Sequence, residues 1–153
     1  MTRVNSGIPV DNLPNQLLLA ELREIMRIPY LVKDRLDKGI KFDDIPKVFT
    51  LNTGHVKFFY NKLEYIEKRY LSLLKEYELR GKDWDNTYTD NFMTCIQYCK
   101  NKNKSVYKDW IETIESKNLL IERLIEKIPS YKRELIIRCV EFSKESFKNL
   151  LLN

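Results

Sequence analysis

One apolar pattern constrains this chain more than any other feature. Val56, Phe59, Tyr60, Leu63, Ile66, Tyr70, Leu73, Leu74 and Tyr77 recur at helical spacing, and Arg80-Gly81 closes the run. That period puts the side chains on one stripe of a long central helix, and it fits burial in a core rather than an exposed aromatic platform. Only four glycines occur in 153 residues, and no series of short alternating strands stands out. The expected fold is therefore all-α, a single compact helical domain over residues 1–153.

Punctuation sets the other elements. A first helix is predicted from Pro14 to about Ile28, where Pro29 interrupts it, and a second over Tyr30 to Lys38 with Gly39 as its stop. Residues 40–54 read as an irregular connection and 82–91 as loop. A short helix is predicted over 92–100, a longer one from about Val106 to Ile128 before Pro129, and a last amphipathic one over roughly 131–151. Residues 133–153 then form a C-terminal helical extension.

Composition narrows the function. At 43% apolar and 12% aromatic the chain can bury a sizeable core. Twenty-seven Lys and Arg against 22 Asp and Glu give a net charge of +5, which leans mildly toward a polyanionic partner. No apolar run reaches the ~20 residues of a membrane span. The start, Met1 to Gly7, is too polar for a secretory signal. Three cysteines are an odd number for a disulfide framework and point to a reducing, intracellular compartment. With one histidine besides, an ordinary structural zinc site has no slack, so no cofactor and no metal are expected. Cys95 and Cys99, at i and i+4, read as packing thiols. His55, at the start of the central helix beside Gly54, reads as a structural or capping residue.

The first helix holds a second feature. Gln16, Arg23 and Arg27 sit at i, i+7 and i+11, within ~40° of one another, with Glu24 on the flank. Arg23 and Arg27 are like charges one turn apart, which costs an isolated helix a few tenths of a kcal/mol. A solvated face with Glu24 neutralising Arg27 accounts for these residues, and so does an anion-binding face.

Three segments carry a resemblance. Thr2-Arg3-Val4-Asn5, then Leu18 to Ile25, then Gly54-His55-Val56-Lys57-Phe58-Phe59-Tyr60-Asn61-Lys62-Leu63-Glu64 resemble, in order, the pyrimidine-dimer DNA glycosylase family. Arg80-Gly81 stands where that family ends its central helix. A second island, Arg123 to Ile128 followed by Pro129-Ser130-Tyr131-Lys132, is similar to the family's C-terminal DNA-contacting segment. The resemblance implies a cofactor-free helical repair enzyme, a monomer in a cell or virion with access to DNA, acting on double-stranded DNA with pyrimidine dimers or abasic sites. Two differences stand out: Leu17 replaces a family histidine, and an aromatic-rich tail is reduced to Tyr131-Lys132.

The implied chemistry is glycosylase plus abasic-site lyase. A small Thr2 permits removal of Met1, and the resulting α-amine, of pKa ~7.7–8.0, is roughly a quarter neutral at pH 7.4, against ~0.1% of an ordinary lysine. That amine would attack C1′ of the damaged nucleotide, and Glu24 would stabilise the cationic sugar and imine. By matching position, Arg3, Gln16, Arg23, Arg27, Arg123 and Lys127 would hold phosphates. Two other readings stay open: a glycosylase or lyase for another lesion, and a non-catalytic helical DNA-binding protein.

Overall fold

The computed structural model describes residues 4–153. Helix α1 spans Asn15–Ile25 and α2 spans Arg27–Asp37. The break between them follows from Pro29, which has no N–H for the Ile25 carbonyl and whose ring would collide with it. The chain turns at Met26, and Pro29 falls in the first turn of α2. The first helix thus ends three residues before the expected Ile28. Arg27 opens a new helix instead of extending the stripe of Gln16 and Arg23. Gly39, at φ +67°, closes α2 by donating its N–H to Leu36 O while Ile40 N–H reaches Arg35 O.

The long apolar run is two helices, α3 over His55–Phe58 and α4 over Leu63–Leu79. Phe58, Phe59 and Tyr60 are all buried. Three consecutive residues sweep ~200° around a helix, so one helical face cannot bury them together, and the backbone turns instead. Helix α5 covers Asn86–Lys102, six residues longer at its start than expected, because the Asp85 carboxylate accepts the Thr87 N–H as a cap. Helix α6 covers Ile114–Lys127 and begins at Thr113, which exchanges hydrogen bonds with Ser116. Residues 107–113, expected to be helical, form no helix. They deliver Trp110 to an aromatic cluster, stacked on Phe49 at 5.7 Å and edge-on to Phe58, Phe59 and Tyr65.

The expected last helix is replaced over its first half by a hairpin. Strand β1, Leu135–Ile137, pairs antiparallel with β2, Val140–Phe142, in the register Leu135–Phe142 and Ile137–Val140. Arg138 and Cys139 take φ +46° and +68°, the left-handed pair that a two-residue hairpin turn requires. Helix α7, Lys144–Leu152, follows, capped by Ser143. The fold is otherwise helical. One core runs from Val4 to Leu151, with α1 packed on α4 and α2 on α5. Cys95 and Cys99 are buried in it, the Cys99 thiol donating to Pro29 O at 3.6 Å.

Residues 4–14 hold one short 3-10 turn, Val10–Asn12, which lies against α4. Several of their carbonyls accept from two guanidiniums, Arg69 on that helix and Arg80 just past its end. Arg69 donates to Asn5 O and Ile8 O, each at 2.8 Å, and to Glu21 Oε1 on α1 at 2.8 Å. Arg80 donates to Leu13 O at 2.7 Å and to Glu76 Oε1 at 2.8 Å. Glu76 also receives Arg138 of the hairpin turn, at 2.7 and 2.8 Å. These contacts, Arg138's foremost, hold the Glu76 carboxyl below the usual carboxylate range. Arg69, Glu76 and Arg80 stand at i, i+7 and i+11, one face of α4.

Candidate functional site

The N-terminal segment is fixed where it enters the described structure. Val4 N–H donates to His55 Nε2 at 3.3 Å, and His55 Nδ1–H donates to Thr50 O at 3.0 Å. These two partners define a neutral imidazole, and burial holds its pKa below the ordinary value. Gly54 makes the arrangement possible. A Cβ there would meet Thr50 Cγ2 at 2.7 Å and Pro46 Cγ at 3.2 Å, so only glycine lets this loop close on His55. Asn5, the next residue but one before Gly7, donates its side-chain Nδ2 to Glu21 Oε2 at 2.8 Å.

Beside that segment lies a pocket of about 190 Å³. Helix α1 lines it with Leu17, Ala20 and Glu24, which share one stripe at i, i+3 and i+7. Asn5 contributes from the N-terminal segment, Leu124 and Lys127 from α6, and Tyr131 from the turn before β1. Glu24 and Lys127, 103 positions apart in sequence, therefore face the same small space. Burial, and after it the neighbouring Arg123, pushes the Lys127 ammonium below the usual lysine range. Burial raises the Tyr131 phenol.

The other candidate residues surround this pocket unevenly. Gln16 lines a larger groove of about 650 Å³ with Lys82, Lys132 and Arg133. Arg23 lines a separate cleft with Trp84 and Tyr88, where Asp83 and Asp85 also lie. Arg27 is exposed at the start of α2, and among the described residues neither it nor Arg23 has an ion-pair partner. Arg123 reaches Asn52 Oδ1 at 3.4 Å and Glu126 at 3.8 Å, while its buried Nε has no partner among the described residues. Thr2 and Arg3 lie outside the described residues.

Sequence reasoning missed Asn5, Glu21 and Arg69 as a buried network under the site. The available signal was placement: Arg69, Glu76 and Arg80 run along one edge of the apolar stripe of Ile66, Tyr70, Leu73 and Tyr77. Charges on such a stripe need buried partners.

A helical scaffold that collects basic side chains around a small pocket holding a carboxylate suits a protein that grips a polyanion and does chemistry at one point along it. Residues 1–91, more than half of the chain, match the sequence profile of the pyrimidine dimer DNA glycosylase family, and the chain belongs to that family. Its function is that of a DNA repair glycosylase, with DNA as its partner.

Proposed function

We propose that this protein excises cyclobutane pyrimidine dimers and then nicks the strand as an abasic-site lyase, working as a monomer. Removal of Met1 frees the Thr2 amine. Its nitrogen bonds to C1′ as the glycosidic C–N bond breaks, and the base departs with that electron pair and a proton. Opening of the sugar ring gives an imine. Loss of a 2′ proton then sends the C–H electrons into the C1′–C2′ bond and the C=N pair onto nitrogen. As the enamine re-forms the imine, the C1′–C2′ π pair shifts to C2′–C3′ and the C3′–O bond breaks, its electrons leaving with the phosphate. Glu24 carries the acid–base and charge-stabilising work, since a carboxylate offsets the cation on sugar and imine and accepts a proton. Arg3, Gln16, Arg23, Arg27, Arg123 and Lys127 bind phosphates. Tyr131 lies against the extruded nucleotide, where an aromatic face stacks on a base.

The observation that supports this reading best is the shared pocket. Glu24 faces it from α1, and Asn5, three positions from Thr2, lines it beside Lys127. A neutral His55 and a buried Arg69–Glu21 pair hold the segment that leads to Thr2. A second candidate for the imine follows from the same pocket: the Lys127 amine, whose pKa is lowered by burial.

Borohydride trapping on a dimer-containing duplex separates the two. An adduct whose modified peptide begins at Thr2 is the expected result. An adduct at Lys127 transfers the nucleophile's role to α6, and no adduct with no nick removes the lyase proposal.

A further inference from the structure

We propose that the groove between α1, β1 and the loop after α4 takes the sugar–phosphate backbone of the duplex on one flank of the lesion, gripped by Lys82, Lys132 and Arg133. The proposal rests on the DNA-repair reading above and adds to it Lys82 and Arg133, neither of them among the phosphate-binding residues named there, beside the Lys132 of the C-terminal island.

Three observations carry it. The groove is large, about 650 Å³, and it is floored by Leu19, Tyr77 and Ile136 with the three cations around it. None of the three has a carboxylate within ion-pair distance among the described residues, whereas Arg80 beneath them is consumed by Glu76 at 2.8 Å. Glu134 is the one carboxylate in the lining, so the cations outnumber it three to one. Finally, the groove abuts the Glu24 pocket. Gln16 lines the groove and Leu17 lines the pocket; Lys132 lines the groove and Tyr131 lines the pocket. A strand with its reacting sugar beside Glu24 passes from one hollow to the other over that ridge. Lysine offers point charges and arginine a two-pronged fork, both suited to phosphate, while the apolar floor meets sugar faces.

The hairpin builds this contact. β1 packs on α1, and the turn residue Arg138 locks the hairpin to Glu76 of α4. Without it, Arg133 and Ile136 would have no fixed position beside Gln16.

The test is equilibrium binding of the full chain and of a Lys82→Ala/Lys132→Ala/Arg133→Ala variant. Three duplexes with one cyclobutane dimer are needed: one of about three helical turns, and two trimmed to the lesion on one side or the other. All three residues are exposed, so the variant folds, which its thermal midpoint checks. On the long duplex the variant should bind about 10- to 100-fold more weakly, with a log K against log salt slope flatter by about three units. The defect should shrink on one trimmed duplex only, and Lys132→Glu/Arg133→Glu should bind more weakly than the alanine variant. Parent-like affinity and slope, or an equal defect on all three duplexes, would overturn the proposal. So would weakened binding to polyglutamate with DNA binding intact, which would assign the groove to an acidic protein. If the parent excises dimers and the variants bind normally, the groove assignment fails alone. If the parent leaves dimers intact while the variants lose duplex affinity, the enzymatic reading fails and the groove stands.

Discussion

The imidazole of His55 and the backbone of Val4 form one hydrogen bond, Val4 N–H to Nε2 at 3.3 Å, that ties the N-terminal segment to the start of α3. It is a bond that only a neutral histidine accepts, because a protonated ring has no lone pair to offer. Glu21 and Arg69, on α1 and α4, are the nearest buried charges to this segment, and they neutralise each other. The bond is therefore a device with a defined response to acid.

The stability of the protein should fall as pH drops from 7 to 5. His55 is pushed below its ordinary pKa of 6.5 by burial. The unfolded chain then binds the extra proton first, so the stabilisation is complete above about 6.5 and is lost as pH falls toward the folded value. This is the chain's one histidine, so the window is its own. Asp37 and Asp44, held at about 2 by Lys33 and Lys57 respectively as their main partners, add a second loss only below about 4. Thermal midpoints across pH 3–8 should show two separate declines. A flat midpoint from pH 7 to 5 would mean that His55 is not buried neutral.

Glu24→Gln should separate binding from chemistry. The shape of the side chain is kept and its charge removed, so affinity for damaged duplex should hold or tighten. Excision should slow by roughly 10²–10⁴. Single-turnover rates and binding on one dimer-containing duplex make the comparison. Turnover within about threefold of the parent would leave Glu24 an ordinary surface carboxylate.

Arg69→Ala should cost about 3–5 kcal/mol of unfolding free energy. It leaves the fully buried Glu21 carboxylate without its counter-charge, takes the guanidinium donor from the Ile8 carbonyl and leaves the Asn5 carbonyl only the Ile8 N–H. Denaturant titration measures the loss. A cost under about 1 kcal/mol would show that water or another side chain replaces the guanidinium without penalty.

Gly54→Ala should cost about 1–3 kcal/mol by overpacking. The added methyl must displace Thr50, whose carbonyl holds the His55 ring. The same substitution should slow imine trapping along with stability, because the displaced ring is the one that grips Val4. Chemical denaturation with trapping rates on an abasic-site duplex tests both arms, and a rate unchanged in the folded variant would detach His55 from the reaction.

The helical character and the ingredients of the site are legible in the residues alone. Period-3.6 apolar runs and glycine stops fix α2 and the body of α4 through local geometry, so Gly39 and Gly81, both at positive φ, stop helices where a one-dimensional reading expects. Thr2, Arg3, Arg23 and Glu24 stood out through motif and resemblance. Long-range packing chose wherever a local pattern had two solutions. Leu135, Ile136, Cys139, Val140 and Phe142 suit a helix spacing as well as a hairpin. Leu135 and Ile137 bury on one face of β1, and Arg138 at the turn reaches Glu76, 62 residues away. The stretch before Thr113 gives up its helix because Trp110 packs among Phe49, Phe58, Phe59 and Tyr65. The pocket itself was beyond local reading: Glu24 and Lys127 meet through the packing of α1 and α6, and no periodicity records a contact between residues 103 positions apart. The same holds for His55 and Val4, whose hydrogen bond exists because a glycine lets one loop approach closely and buried guanidiniums satisfy the backbone of the other.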